Sequence, residues 1–400
     1  MLVSDTEVYI SGFGCITPIG NNRDENLQSL RVGKCGIRKP VLFESKYASM
    51  YLFGEVSLSN SELCSLLGFD GVKGLTRTDL IAFKAFGDAI ENAGLSPEEI
   101  SSYDTAFVSA STVGGMCLTD QLYKDSNLLT DNGEFLNSYS CWAHANRIAG
   151  QYRMKGLVDV INTACSSSAN AIMHGARLIR TGRAKRAIVG GVDALSKYTV
   201  NGFNSLQILS HSYCKPFDAD RDGLNLGEGA CYLVLESRES LGNKQPLAAV
   251  AGYGNANDAY HTSSLSDNAI GILRAMKDAL LSAGIDPEQI GYVNAHGTGT
   301  DNNDKVESES FRRFFEKIPP FSSTKSFTGH TLGAAGAIEA VYSLFALMYG
   351  ELYPNLNFSK PEGSDGLVPV LETGKADLRY VMSNSYGFSG NCTSLIFKRL

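Results

Sequence analysis

The pattern of apolar and polar positions marks out two similar lengths of chain. Residues 7–14 (EVYISGFG) and 247–254 (LAAVAGYG) both read as strands that end in a glycine turn. Residues 83–100 (FKAFGDAIENAGLSPEEI) place apolar side chains at helical spacing as far as a Gly stop, after which Ser-Pro opens a short helical turn. The same design returns at 273–290 (LRAMKDALLSAGIDPEQI), and each copy leads into a short apolar strand, 105–112 and 292–298. Copies this far apart mean duplicated half-domains rather than a solenoid. Strands alternating with helices predict an α/β protein with a parallel or mixed sheet under helices. One half is expected over about 1–245 and the other over about 246–400, packed as a single body. The stretch 239–246 (ESLGNKQP) is the most linker-like. Residues 113–150, which hold the single Trp142, and 198–226 break the repeat and read as insertions carrying substrate or subunit contacts.

Inside the first half, the apolar run Leu157–Ile161 reads as a buried strand feeding residues 162–172 (NTACSSSANAI). A helix is predicted beyond it from Ala171, Met173, Ala176, Leu178 and Ile179. Cys165 then sits where a strand becomes a helix, with serines able to cap, and the free N–H groups there favour a thiolate. The other eight of nine cysteines show no paired spacing, so neither a zinc site nor a disulfide framework is expected. An odd set of unpaired cysteines points to a reducing cytoplasm.

A chain of 400 residues with a net charge of −7 is poorly suited to general nucleic-acid binding. Acids at Asp5 and Glu7 lead straight into the first strand, so no secretory signal is expected. The longest apolar stretch, Ala337 to Tyr349, contains Glu339 and is read as too short to span a bilayer.

Two histidines lie in Gly/Thr/Ser-rich surroundings. His296 (NAHGTGT) follows a strand, where open α/β sheets place their ligands, and His330 (TKSFTGHTLGAAGAIEA) precedes a helix whose start is rich in small residues. Lys325 and Glu307 are charged neighbours of these motifs, and residues 383–400 form a glycine-punctuated turn around Phe388 that could set a backbone N–H beside a reacting carbonyl. One thiol, two imidazoles and several N–H donors suit acyl transfer through a thioester, because a thiolate attacks well and leaves readily. Two neutral imidazoles could donate to an enolate oxygen. There is no Walker loop, and GYGNAN is too weak to be a dinucleotide fingerprint.

Together these motifs, with residues 215–230 (KPFDADRDGLNLGEGA) and 384–391 (NSYGFSGN), resemble the elongating β-ketoacyl-acyl carrier protein synthases (type I/II) of the thiolase-like superfamily. The resemblance implies a five-layered αβαβα fold of two duplicated halves and a decarboxylative Claisen condensation with malonyl-acyl carrier protein, in fatty-acid or related biosynthesis. It casts Cys165 as nucleophile, His296 and His330 as the decarboxylating pair, Lys325 as an ordering lysine paired with Glu307, and the N–H groups of Cys165 and Phe388 as an oxyanion hole. Thr298 and Thr300 match threonines that hold the phosphopantetheine arm, while Tyr386 and Phe388 match aromatic gates. No metal and no organic cofactor are implied, since the substrates ride on the carrier protein's phosphopantetheine. A homodimer, or a heterodimer with a related subunit, is implied too. Arg177, Arg180, Arg183, Lys185, Arg186, Lys73 and Arg77 are candidate contacts for an acidic carrier protein. The chain departs from the family pattern in the loop 299–303, which keeps Thr300 but has Gly299, Asp301, Asn302 and Asn303, at the gate Tyr386, at Ser389, and at Asn391 and Cys392, which bears on pocket shape, gate movement and acyl preference. Rival expectations are a specialised polyketide or aryl-polyene ketosynthase, a thiolase with Cys392 as second cysteine, and a non-catalytic chain-length partner.

Overall fold

The computed structural model describes residues 7–128 and 133–400. The first six residues, part of the acidic start, lie outside the described residues, as do 129–132 in the first insertion.

Ten strands form one sheet: β1 (Val8–Ile16), β2 (Thr105–Ala110), β3 (Val158–Ile161), β4 (Arg186–Asp193), β5 (Gly229–Glu236), β6 (Ala248–Asn257), β7 (Ile290–Asn294), β8 (Phe321–Ser322), β9 (Tyr380–Tyr386) and β10 (Asn391–Lys398). Outward from the β1–β6 junction, one half runs β1-β5-β4-β2-β3 and the other β6-β10-β9-β7-β8. In each half the three strands nearest the junction pair antiparallel and the outer three pair parallel. The repeat seen in the sequence is therefore a repeat of strand order and direction.

Six helices matter for the layers: α1 (Arg77–Asn92), α2 (Ser167–Arg180), α3 (Lys197–Ser205), α4 (Ile270–Ala283), α5 (Asp301–Phe314) and α6 (Ala335–Tyr349). Because side chains alternate across a strand, one strand feeds two cores. In β5, Leu233 and Leu235 enter the core shared with α2 and α6, whereas Tyr232 and Val234 enter the core under α1. The core around α2 and α6 also takes Val381, Leu395 and Phe397 from the second half, so these two helices lie between the sheet halves. On the far side, Ile272 and Met276 of α4 and Phe311 of α5 pack on Val293, Met382 and Ile396. The layers run α, β, α, β, α, as the resemblance implies.

Local sequence explains why the helices start where they do. Thr76 caps α1 through a reciprocal box with Asp79, and the same device at Ser96 and Glu99 starts the short helix Pro97–Ile100. Every residue from Ala335 to Leu347 is buried, which is how a helix that is apolar all round is accommodated in the middle layer of the fold. With the turn before it, the segment Leu332–Tyr349 reaches 18 residues and passes the length and composition test for a span, against the expectation that it is too short. It is 89% buried inside the protein, as a core helix is.

The run Leu157–Ile161 also differs from expectation. Its strand lies at the outer edge of the sheet, with Leu157 exposed and the rest half-buried or exposed, because β3 pairs on one side only.

Candidate active site

Between β3 and α2 the chain turns through Ala164, whose φ of +53° is in the left-handed region that costs a residue with a Cβ. Ser167 holds this turn, since its hydroxyl donates to the Ala164 carbonyl and accepts the Thr163 N–H at 2.8 Å. The serines thus tie the turn and do not cap the helix, and Ser166 at the N-cap makes no capping bond. A matching turn precedes α6, where Leu332 has φ +54°. The starts of α2 and α6 touch: a Cβ on Gly336 would lie 2.7 Å from the Ala169 nitrogen, so only glycine allows the approach. The Ala337 N–H donates to Ser168 Oγ at 2.9 Å across the same contact. Two helix N-termini therefore converge beside Cys165 and bring the positive ends of two dipoles to one place.

His296 follows β7 and His330 precedes the turn into α6, and their rings stand edge to face with centroids 5.6 Å apart. Lys325 Nζ donates to the His296 carbonyl at 2.7 Å and lies 3.1 Å from Nδ1. An ammonium has no lone pair, so Nδ1 accepts and the ring proton resides on Nε2. At His330 the Leu332 N–H donates to Nδ1 at 3.2 Å, which fixes the same tautomer. Its Nε2 is buried with no hydrogen-bond partner among the described residues. Burial, with Lys325 reinforcing it, pushes both histidines well below the ordinary imidazole range, and His330 adds to the effect on His296. Both rings are neutral N–H donors, suited to an oxygen on which negative charge develops.

The pairing expected of Lys325 is corrected. Its ammonium makes a short, fully buried ion pair with Glu339, not Glu307. Glu307 instead accepts the N–H groups of His296 at 2.9 Å and Gly297 at 2.8 Å, holding the loop that carries the histidine. Burial pushes the Glu307 carboxyl up to about 8, against the pull of those N–H groups. Asp304 fixes the next part of that loop through the N–H groups of Thr298 and Gly299, and reaches Phe217 N–H at 2.7 Å.

Cys165, His296 and His330 line one cavity of about 360 Å³ together with Thr298, Thr300, Tyr386 and Phe388. The hydroxyls of Thr298 and Thr300 are 2.8 Å apart, and Tyr386 lies on His296 with ring centroids separated by 5.4 Å. On its other side Cys165 faces a second cavity of about 770 Å³, walled by Val113, Thr119, Tyr198, Phe203, Leu206 and Leu332 among others. Most of that wall comes from the two insertions. Phe388 stands between the cavities and stacks on Phe203 of α3, with centroids 5.6 Å apart and planes within 16°. The next residue, Ser389, has φ +64°, a conformation in which glycine would be unstrained.

Burial pushes the Cys165 thiol up to about 11, while Lys325 and the Phe388 N–H pull the other way. Burial thus opposes the thiolate that the helix start favours; the helix start is visible in sequence and the depth of burial is not. Alkylation of Cys165 by uncharged iodoacetamide is therefore expected to speed up about tenfold per pH unit from neutral to about pH 10. A plateau near pH 8 would contradict it. For the histidines the shift runs downward, so protonation sets in only far below the ordinary range. Carbon dioxide release from a malonyl thioester is expected to change less than about twofold between about pH 5 and 6, a window below the raised Glu307 and Glu339 carboxyls, as followed by a coupled assay.

Two acids escaped the sequence reading of the site. Glu339 was visible as a lone acid in an apolar helix, a position that demands a buried cation. Asp193 ends the apolar strand β4 and accepts from Thr112 N–H and Oγ, Val113 N–H, Ser111 Oγ and Gly333 N–H. It ties the wall of the larger cavity to the turn beyond His330.

Family models for the beta-ketoacyl synthase N-terminal and C-terminal domains match residues 5–240 and 247–359. The chain belongs to the beta-ketoacyl synthase family. It is similar to 3-oxoacyl-[acyl-carrier-protein] synthase 2 of Vibrio cholerae, with 33% identity over 427 residues, covering 100% of each chain. Among solved structures it is similar to the ishigamide ketosynthase/chain length factor, with a TM-score of 0.92 and 29% identity over 99% of each chain. A ketosynthase from Xenorhabdus doucetiae in complex with its chain length factor gives a TM-score of 0.86 and 30% identity, covering 99% of this chain and 98% of that one.

In this beta-ketoacyl synthase several candidate basic contacts are otherwise engaged. Arg77 is held by Glu228, Arg186 by Glu99 and Glu236, and Arg180 donates to the Val250 and Ala251 carbonyls. Lys185 is exposed but paired with Glu239 and Asp104. Lys73, Arg177 and Arg183 are exposed, the last two at the end of α2 remote from Cys165. Cys392 packs in the core beside α4 and lines neither cavity, which removes the basis for a second thiolase cysteine. All nine cysteines are free, and no cluster of three His, Cys, Asp or Glu able to hold a metal occurs among the described residues.

Proposed function

We propose that the chain is a 3-oxoacyl-[acyl-carrier-protein] synthase. The Cys165 thiol attacks an acyl thioester; its proton is lost, the carrier thiol leaves, and the acyl group stays on sulfur. A malonyl thioester then enters the smaller cavity with its arm along Thr298 and Thr300, and its carbonyl oxygen takes the Nε2–H groups of His296 and His330. Cleavage of the bond to the carboxylate releases carbon dioxide and leaves its electron pair as an enolate, stabilised by those two donors. The enolate carbon attacks the acyl carbonyl, whose oxygen is held by the Cys165 and Phe388 N–H groups, and Cys165 departs and recovers a proton. Residues 1–245 supply the nucleophile and residues 246–400 the histidines. The substrates ride on acyl carrier protein, without metal or organic cofactor, and the working form pairs this chain with a second copy or a related subunit.

The observation carrying this reading is that one cavity wall holds Cys165, His296 and His330. Incubating the protein with acyl- and malonyl-acyl carrier protein is expected to yield 3-oxoacyl product and carbon dioxide; neither appearing would defeat the reading. In His330→Ala, carbon dioxide release is expected to fall on the order of 10²- to 10³-fold, the usual cost of one such donor, while acyl loading persists. Equal loss of both would deny the division of roles.

A specialised acyl range has its own support. The larger cavity mixes Thr119, Asn162, Asn201 and Ser205 with a flat Phe203–Phe388 stack, a lining that suits conjugated or aryl chains better than a plain alkyl chain. Faster loading of a polyenoyl or aryl group than of a saturated one would favour this range, and the reverse order would favour the saturated one.

A further inference from the structure

The oxyanion hole requires two N–H groups from distant parts of the chain, Cys165 and Phe388, to face one point. Gly387 allows the two segments to meet, because a Cβ there would lie 2.5 Å from the Thr163 carbonyl oxygen and 3.3 Å from the Cys165 nitrogen. Closeness alone does not set the spacing. At the foot of the 387–390 turn lies Asn391, whose carbonyl accepts the Gly387 N–H at 2.7 Å. Its side-chain Oδ1 points across the gap to the nucleophile's side. It accepts from Asn170 Nδ2 at 2.8 Å and Asn255 Nδ2 at 2.9 Å, and Ser166 Oγ lies 2.8 Å away with one proton to place either on it or on the Thr163 carbonyl, also at 2.8 Å.

Those donors are themselves bound together. Asn170 Nδ2 also donates to Thr163 Oγ1 at 2.8 Å, and Asn170 Oδ1 accepts from Thr393 Oγ1 at 2.9 Å and Asn255 Nδ2 at 3.0 Å. The cluster therefore grips both ends of the turn bearing Cys165, at Thr163 and at Ser166, and both β6 and β10 beyond it.

We propose that Asn391 is a positioning residue. Through this amide cluster it sets the spacing between the Phe388 N–H and the Cys165 turn, and so governs acyl transfer to and from sulfur without governing malonyl decarboxylation. The second half of that statement follows from the geometry of the histidines. The tautomers of His296 and His330 are fixed by Lys325 and Leu332, neither of which touches the cluster. A displacement of about 1 Å in a reacting geometry costs on the order of 10²-fold in rate, so the effect is measurable.

The inference rests on the condensing activity proposed above, and the test separates the two. Acyl loading from acyl-acyl carrier protein is followed by intact mass in single turnovers. Carbon dioxide release from malonyl-acyl carrier protein is followed on enzyme whose Cys165 has been alkylated beforehand. For Asn391→Ala, loading is expected to fall tenfold to a hundredfold while carbon dioxide release changes less than twofold. Ser166→Ala removes one bond of the clamp with little risk to folding, and a threefold to tenfold loss of loading with the same carbon dioxide release is expected. Loading unchanged in Ser166→Ala and in folded Asn391→Ala would overturn the inference, as would an equal fall of both reactions in either. If the unaltered protein neither loads acyl groups nor releases carbon dioxide, the condensing activity itself fails, a result distinct from either of these.

Discussion

Cys165→Ala is expected to leave no acyl-enzyme detectable by intact mass and to reduce condensation to background, a loss of at least about 10³-fold. No other cysteine can take over the role. Cys35, Cys64, Cys117 and Cys141 lie off both cavities, and Cys15, Cys214, Cys231 and Cys392 are buried away from them. The loss is expected to be chemical. Removing one buried sulfur costs about 1 kcal/mol, a small part of the stability of a core this size. Carbon dioxide release from malonyl-acyl carrier protein is expected to survive, since its donors are the two imidazoles and neither is fixed by Cys165. Full condensation by the variant would remove Cys165 from the mechanism.

The parts of this molecule legible in its sequence are those that depend on neighbours along the chain. Strand and helix periods located β1, β2, β6 and β7 and the helices α1, α2 and α4, and the strand-to-helix context singled out Cys165. Features that depend on contacts from far away were not legible. Glu307 and Glu339 are both acids downstream of His296, and only the inward face of α6 decides which meets Lys325. The tautomer of His330 depends on the N–H of Leu332, a backbone group with no signature in residue type. The apolar run Leu157–Ile161 reads like a core strand because periodicity reports what wants cover; its place at the sheet edge depends on strand order.

Lys325→Met separates folding from chemistry at this site. The substitution leaves Glu339 buried without its cation, for which the expected loss is about 3–5 kcal/mol, measurable by urea unfolding. Burial already pushes the Glu339 carboxyl up to about 7, with Lys325 opposing, so the loss of Lys325 carries it higher. A carboxyl whose pKa is raised by folding binds its proton more tightly in the folded chain. Its contribution is present at low pH and lost as pH rises, so the variant's deficit is expected to shrink toward pH 5 and grow toward pH 8. Lys325→Met combined with Glu339→Leu removes the stranded charge, and stability is expected to return to within about 1 kcal/mol of the starting protein. Carbon dioxide release is expected to remain at least about 10²-fold down in the double variant, because nothing then donates to His296 Nδ1 to keep the proton on Nε2. Recovery of both stability and rate would mean that the lysine serves only to neutralise Glu339. Recovery of stability alone assigns it the orientation of His296 as well.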